Sequence, residues 1–270
     1  MGFFSWLFRI KPKQLKIGIA LGSGGAKGFA HLGALRAFEE NGIEFDYIAG
    51  TSIGSIVGAF YANGYTSTDI FELLRTMDFG DVKNLFMMST DSSWLNKLLK
   101  ENLGATQFSD LKKPFKAVAT ELISGEERVF DSGDLATALC ASSAIVPFFK
   151  PVLIDGERFV DGAYTNSVPA DLVKKMGADY IVGIDLRNHD EKPSVLKKLF
   201  PTYKGKIEKP WEKGYEYSNI MLTPDLTGFD SLSFLHGAKM YEMGYKCAID
   251  NMSKIKAEIE KLKKARGIKK

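Results

Sequence analysis

The stretch that most narrows the possible folds is Gly50-Thr51-Ser52-Ile53-Gly54, a G-x-S-x-G pentapeptide. Before it, Phe45 to Ala49 is short and apolar enough for a buried strand. After it, Ile53 to Asn63 places Ala, Ile, Val, Phe and Tyr at helical spacing. A strand, a tight turn and a helix with serine at the apex force that serine into a strained backbone conformation. Its hydroxyl is pushed into the open at the positive end of the helix. Gly50 and Gly54, two residues to either side, let strand and helix approach closely. Taken alone, the pentapeptide fits two readings: a nucleophilic serine, or a helix N-cap serine between two turn glycines.

A second stretch bears on that choice. Lys16 to Leu21 is a near-continuous apolar run, as buried parallel strands are. It ends in Gly22-Ser23-Gly24-Gly25-Ala26-Lys27-Gly28, and a helix follows over Phe29 to Asn41. A glycine-rich loop feeding a helix N-terminus is a ready anion site. A dinucleotide fingerprint would need glycine where Lys27 stands, and a phosphate-binding P-loop would need Ser or Thr where Gly28 stands. The third reading is an oxyanion hole built from Gly24, Gly25, Ala26, Lys27 and Gly28. There, consecutive N–H groups converge on one oxygen that becomes negative. Only this reading fits beside a serine elbow one strand and helix later.

The third stretch is Asp161-Gly162-Ala163, delivered by a hairpin that turns at Asp155-Gly156. Asp155 has a conformational reason to be Asp, since Asp-Gly is a strong two-residue turn signal. Asp161 stands at the exit of an apolar strand, where a side chain can enter a site. Strands at Phe115–Leu122, Arg128–Asp131 and Tyr180–Leu186, separated by helices, predict a mainly parallel central sheet covered on both faces. No histidine follows the acid in a natural triad position except His236, whose neighbours read as ordinary helix packing; His31 lies beside the glycine loop and His189 in an irregular stretch.

The sequence divides into an apolar and basic segment over 1–15 and a single domain over 16–270. Residues 188–228 are an irregular excursion and 254–270 a basic tail, read as a solvated helix end. Aromatic residues beside Arg9, Lys11 and Lys13 suit a membrane interface or the protein's own surface equally. A net charge of +3 is too small to imply nucleic acid. Cys140 and Cys247 lie in apolar helical patterns and read as reduced core residues. Only three histidines are present and no CxxC or HExxH, so neither metal nor cofactor is expected. No apolar run reaches membrane-spanning length, and residues 2–8 lack the flanks of a secretory signal.

Taken together, these residues resemble the patatin-like phospholipases in their bacterial single-domain form. The match includes the three stretches above, Ala141-Ser142 with Ala144 and Pro147, Asn166 with Pro169, and the strand Gly177 to Asp185. One departure is Ser23, where the family often has another glycine. The resemblance implies a three-layer α/β/α sandwich of the patatin and acyltransferase-lysophospholipase type. It implies a Ser-Asp dyad with Ser52 as nucleophile and Asp161 as base, supported by Gly50, Gly54, Gly162 and Ala163. Burial is expected to raise the pKa of Asp161. The implied substrates are acyl esters of phospholipids or lysophospholipids. The implied setting is cytoplasmic, with peripheral contact at the inner membrane surface. A general carboxylesterase or acyltransferase, and a non-catalytic lipid-binding regulator on the same scaffold, stay open as alternatives.

Overall fold

The strand Ile17–Leu21 (β1) carries no polar side chain, so both its faces must be covered. In the computed structural model, which describes residues 14–76, 91–187, 209–232 and 234–268, it lies in the middle of the sheet. Tyr47–Thr51 (β2) pairs with it on one side and Tyr180–Ile184 (β7) on the other, both parallel. Phe115–Glu121 (β3) extends the sheet beyond β2, and Ile220–Leu222 (β8) beyond β7, again parallel. Past β3 the pairing turns antiparallel, with Glu127–Phe130 (β4) and the hairpin Val152–Ile154 (β5) and Glu157–Asp161 (β6). The hairpin turns where expected. Asp155 and Gly156 both have positive φ, 50° and 85°, the signature of a type I′ turn.

Eight α-helices are described: Phe29–Glu40 (α1), Ile53–Ala62 (α2), Ser67–Thr76 (α3), Ser93–Asn102 (α4), Leu135–Ser142 (α5), Ala170–Met176 (α6), Glu212–Tyr217 (α7) and Gly237–Ala265 (α8). Alternate side chains of β1 go to opposite layers. Ile19 and Leu21 join Leu32, Phe38, Val57 and Ile255 from α1, α2 and α8. Ala20 joins Leu172 and Val173 of α6. The result is a three-layer α/β/α sandwich around a mixed sheet whose five central strands are parallel. The chain steps from β1 to β2 to β3 in one direction, then returns to the far side of β1 with β7. A crevice at the carboxyl ends of the strands beside such a reversal is where open α/β sheets bind ligands.

The structure corrects three boundaries. Leu15, assigned to the N-terminal segment, is buried in the core; residues 1–13 lie outside the described residues, as does His189. The excursion over 188–228 is regular in its second half. Residues 209–228 contain α7 and β8, the latter paired to β7 from Val182 and Ile220 onward. Three residues are too few to show a period, and the order of β8 comes from the edge that β7 offers. Nor is 254–265 simply a solvated helix end. Ile255 and Ile259 are buried four residues apart beneath the alternating charges, Glu258 accepts a hydrogen bond from the Tyr180 hydroxyl at 2.7 Å, and Arg266 pairs with Asp179 at 2.7 Å. Cys140 is buried and Cys247 half-buried, both free.

Candidate active site

Strand β2 ends at Thr51 and α2 begins at Ile53, leaving Ser52 alone in the turn with φ 57° and ψ −129°. A non-glycine residue held there costs of order 1–3 kcal/mol, so its surroundings must over-determine it. They do. The Ser52 N–H donates to Ser142 Oγ at 2.9 Å, and the Ser52 carbonyl accepts from the Ser55 hydroxyl at 2.7 Å. The Thr51 hydroxyl donates to the Asn166 carbonyl at 2.8 Å. The flanking glycines are a matter of space: a Cβ on Gly50 would stand 2.2 Å from the Gly54 carbonyl oxygen, and one on Gly54 would stand 2.2 Å from that of Leu21.

Asp161 is the last residue of β6, opposite Ala119 of β3. Its N–H donates to the Ala144 carbonyl at 3.0 Å, and its own carbonyl accepts from the Thr120 hydroxyl at 3.0 Å. With the backbone thus pinned, the carboxylate turns inward and is 1 % exposed. Its Oδ2 accepts from the Ser52 hydroxyl at 2.6 Å, and its Oδ1 accepts from the Ala163 N–H at 2.8 Å. Burial pushes its pKa up to about 6, against the Ser52 hydroxyl, the Ala163 N–H and the Arg187 charge, which all favour the ionised form. Two side chains 109 positions apart in sequence thus share one hydrogen bond. Asp155, in the earlier Asp-Gly, is confined to the exposed hairpin turn.

The glycine loop departs from the expectation in detail. Gly25–Gly28 form one 3₁₀ turn, with Gly25 at φ 57°. That tight turn points two amides back at main-chain oxygens: the Ala26 N–H donates to the Ser231 carbonyl at 2.7 Å, and the Lys27 N–H to that of Gly24 at 3.2 Å. Gly28 serves packing, since a Cβ there would meet Ile53 Cγ1 at 2.3 Å. Ala26 and Lys27 are therefore corrected from donors to parts that set the loop. The N–H groups of Gly24, Gly25 and Ile53 have no acceptor among the described residues.

The two described histidines do other work. His31 is fully buried and its Nε2–H donates to the Gly22 carbonyl at 2.7 Å, tying the end of β1 to α1. Burial holds its pKa down, at about 4, so the ring is neutral. His236 is exposed at the start of α8, its ring edge-on to Phe229 at 5.8 Å. Neither bonds to Ser52 or Asp161. Sequence reasoning alone did not give Ser142 and Ala144 their supporting contacts, although both lie in the small-residue stretch noted there. Arg187, just past β7, carried no sequence signal. Among the described residues, no group of three or more His, Cys, Asp or Glu side chains is arranged to hold a metal.

Comparison with known proteins agrees with this picture. A family model described as patatin-like phospholipase matches residues 19–174, more than half of the chain and both members of the Ser52–Asp161 pair. Human patatin-like phospholipase domain-containing protein 6 is 31% identical over 204 residues, covering 70% of this chain and 14% of that protein. Lysophospholipase NTE1 of Saccharomyces cerevisiae is 29% identical over 199 residues, covering 70% of this chain and 12% of that protein. The chain thus spans under a fifth of the length of the curated relatives it matches. Among solved structures, VipD of Legionella pneumophila superposes with a TM-score of 0.57 at 15% identity, over 89% of this chain and 67% of VipD. The type III effector ExoU superposes with a TM-score of 0.51 at 12% identity, over 90% of this chain and 54% of ExoU. These two likenesses concern the fold. With its three sequence stretches gathered at one end of the sheet and the family model spanning them, the chain belongs to the patatin-like phospholipase family.

Proposed function

We propose that this chain hydrolyses acyl esters of phospholipids, lysophospholipids or related lipids through an acyl intermediate on Ser52. The observation that carries the reading is the 2.6 Å hydrogen bond from the Ser52 hydroxyl to a buried carboxylate. An ordinary aspartate is a poor base near neutrality, and one raised to about 6 is matched to the task. As Oγ attacks the ester carbonyl, Asp161 Oδ2 takes the hydroxyl proton. The oxyanion that forms is held by the amides of Gly24, Gly25 and Ile53, where one such donor lowers the barrier by roughly 3 kcal/mol. Collapse breaks the bond to the alcohol, which leaves with the proton from Asp161. Water then attacks the acyl-serine, with Asp161 taking its proton, and the fatty acid departs from a regenerated serine.

The lipid class is supported by the printed names of the relatives, a lysophospholipase and a patatin-like phospholipase domain protein, and by family membership. The test is labelling with a fluorophosphonate probe together with a lipid-class screen. Wild type should be labelled and should release fatty acid, and Ser52→Ala should abolish both. An unlabelled wild type would favour a binding role on the same scaffold. Acyl transfer to added alcohols faster than to water would favour an acyltransferase.

A further inference from the structure

Asn166 is fully buried, and its main chain joins the two arms of the Ser52–Asp161 pair. Its carbonyl accepts from the hydroxyl of Thr51, the residue before the nucleophile, at 2.8 Å. Its N–H donates to the carbonyl of Gly162, the residue after the base, at 2.9 Å. A shift of this one turn therefore moves Ser52 and Asp161 relative to each other.

The side chain decides where that turn sits. Asn166 Nδ2 donates to Asp171 Oδ1 at 2.8 Å and to Glu127 Oε1 at 3.4 Å. Asp171 lies in the first turn of α6 and Glu127 opens β4, so one amide ties the turn to a helix and to the sheet. Asn166 Oδ1 is buried with no hydrogen-bond partner among the described residues, so the side chain serves as a donor alone. The two carboxylates are only 4% and 14% exposed, and charges so placed need a cation beside them. Lys213 of α7 supplies one, contacting Glu127 Oε2 and standing 3.9 Å from Asp171 Oδ2. Lys175, one turn along α6, pairs with the same Asp171 oxygen at 2.9 Å. The segment around α7 also holds the neighbouring main chain. The Ser167 N–H donates to the Pro210 carbonyl at 2.8 Å, and a Cβ on Gly214 would stand 2.7 Å from Val168 Cβ.

We infer that Asn166 is a positioning residue for the Ser52–Asp161 pair, held in place by Lys213 through Glu127 and Asp171. The network ends one residue short of each member of the pair, at Thr51 and Gly162. It therefore acts by setting the distance between nucleophile and base. Hydrogen bonds to ionised partners are roughly twice as strong as neutral ones, which suits an anchor, and small misplacements of reacting groups lower turnover steeply. The effect on turnover rests on the proposed hydrolysis; the mechanical link between the two arms does not.

The experiment pairs amide hydrogen exchange with steady-state kinetics on the full chain. Asn166→Leu keeps the branched shape of the side chain and removes the donor. Amides of residues 50–55 and 161–167 should then exchange about 10–100-fold faster, both segments together, while those of α1 keep their wild-type rates. On a soluble short-chain ester, kcat should fall about 10–100-fold with KM unchanged. Lys213→Met, which keeps the stem and loses the charge, should give a smaller loss of the same kind, and Lys213→Arg should recover it. In Asn166→Leu/Lys213→Met the combined loss should fall short of the product of the two by about twofold or more, since both act through one link. Unchanged exchange at either segment would overturn the inference. Equally fast exchange in α1 would overturn it too, because Asn166 would then support the whole fold, as would a raised KM at constant kcat or losses that simply multiply. A wild type that does not hydrolyse the ester would sink the proposed function, and the exchange rates would still decide the link.

Discussion

Asp161→Asn should make the protein more stable while disabling it. A carboxyl whose folded-state pKa is raised holds its proton more tightly in the fold than in the unfolded chain. Between its ordinary 3.8 and about 6, the fold therefore takes up protons relative to the unfolded state, and stability falls as pH rises through that window. At 1.36 kcal/mol per pH unit, burying this carboxylate in ionised form costs the wild type on the order of 3 kcal/mol at neutral pH. Asparagine is neutral throughout and keeps an oxygen for the Ala163 N–H, so it escapes that cost. Chemical denaturation at pH 7.5 should find the variant about 3 kcal/mol more stable, or ~6–12 °C higher in melting temperature. Below pH 3.8 the two proteins should converge, because both side chains are then uncharged. The loss of the base should lower kcat by about 10²–10⁴. A variant that is less stable than wild type at pH 7.5, or that turns over normally, would refute the reasoning.

The same raised pKa sets the pH–rate profile: kcat/KM should fall about tenfold per unit below pH 6 and level off above it, and a profile flat down to pH 5 would argue against Asp161 as the base. Ser142→Ala leaves the buried Ser52 N–H without its acceptor, which costs about 1–3 kcal/mol; expressed at the elbow, this is a drop in kcat of ~5–150-fold with KM little changed, measurable by steady-state kinetics. His236→Ala removes an exposed ring remote from the pair and should keep turnover within about twofold. Gly54→Ala sets a methyl group 2.2 Å from the Leu21 carbonyl oxygen; overpacking of this kind costs roughly 1–3 kcal/mol or more, so a lowered melting temperature and loss of probe labelling are expected together.

What the sequence determined by itself is local. The apolar run of β1, the glycines around Ser52 and the Asp-Gly at 155–156 each fix backbone conformation through side-chain size or its absence, over a few residues, and each is readable without knowing the rest of the chain. The positions of the serine elbow and of the acid-bearing strand end are legible for that reason. Tertiary structure decided whatever depends on groups that meet across the chain. Only the pairing of β6 with β3 brings Asp161 to Ser52, and only packing removes enough water to raise its pKa. The glycine loop shows the limit clearly: four glycines in seven residues advertise open amides, but Ser231, some two hundred positions later, accepts from one of them and leaves fewer free. The same holds for Asp179, which accepts from the Lys16 N–H and pairs with Arg266, because long-range contacts are set by the register of the sheet and not by any local preference.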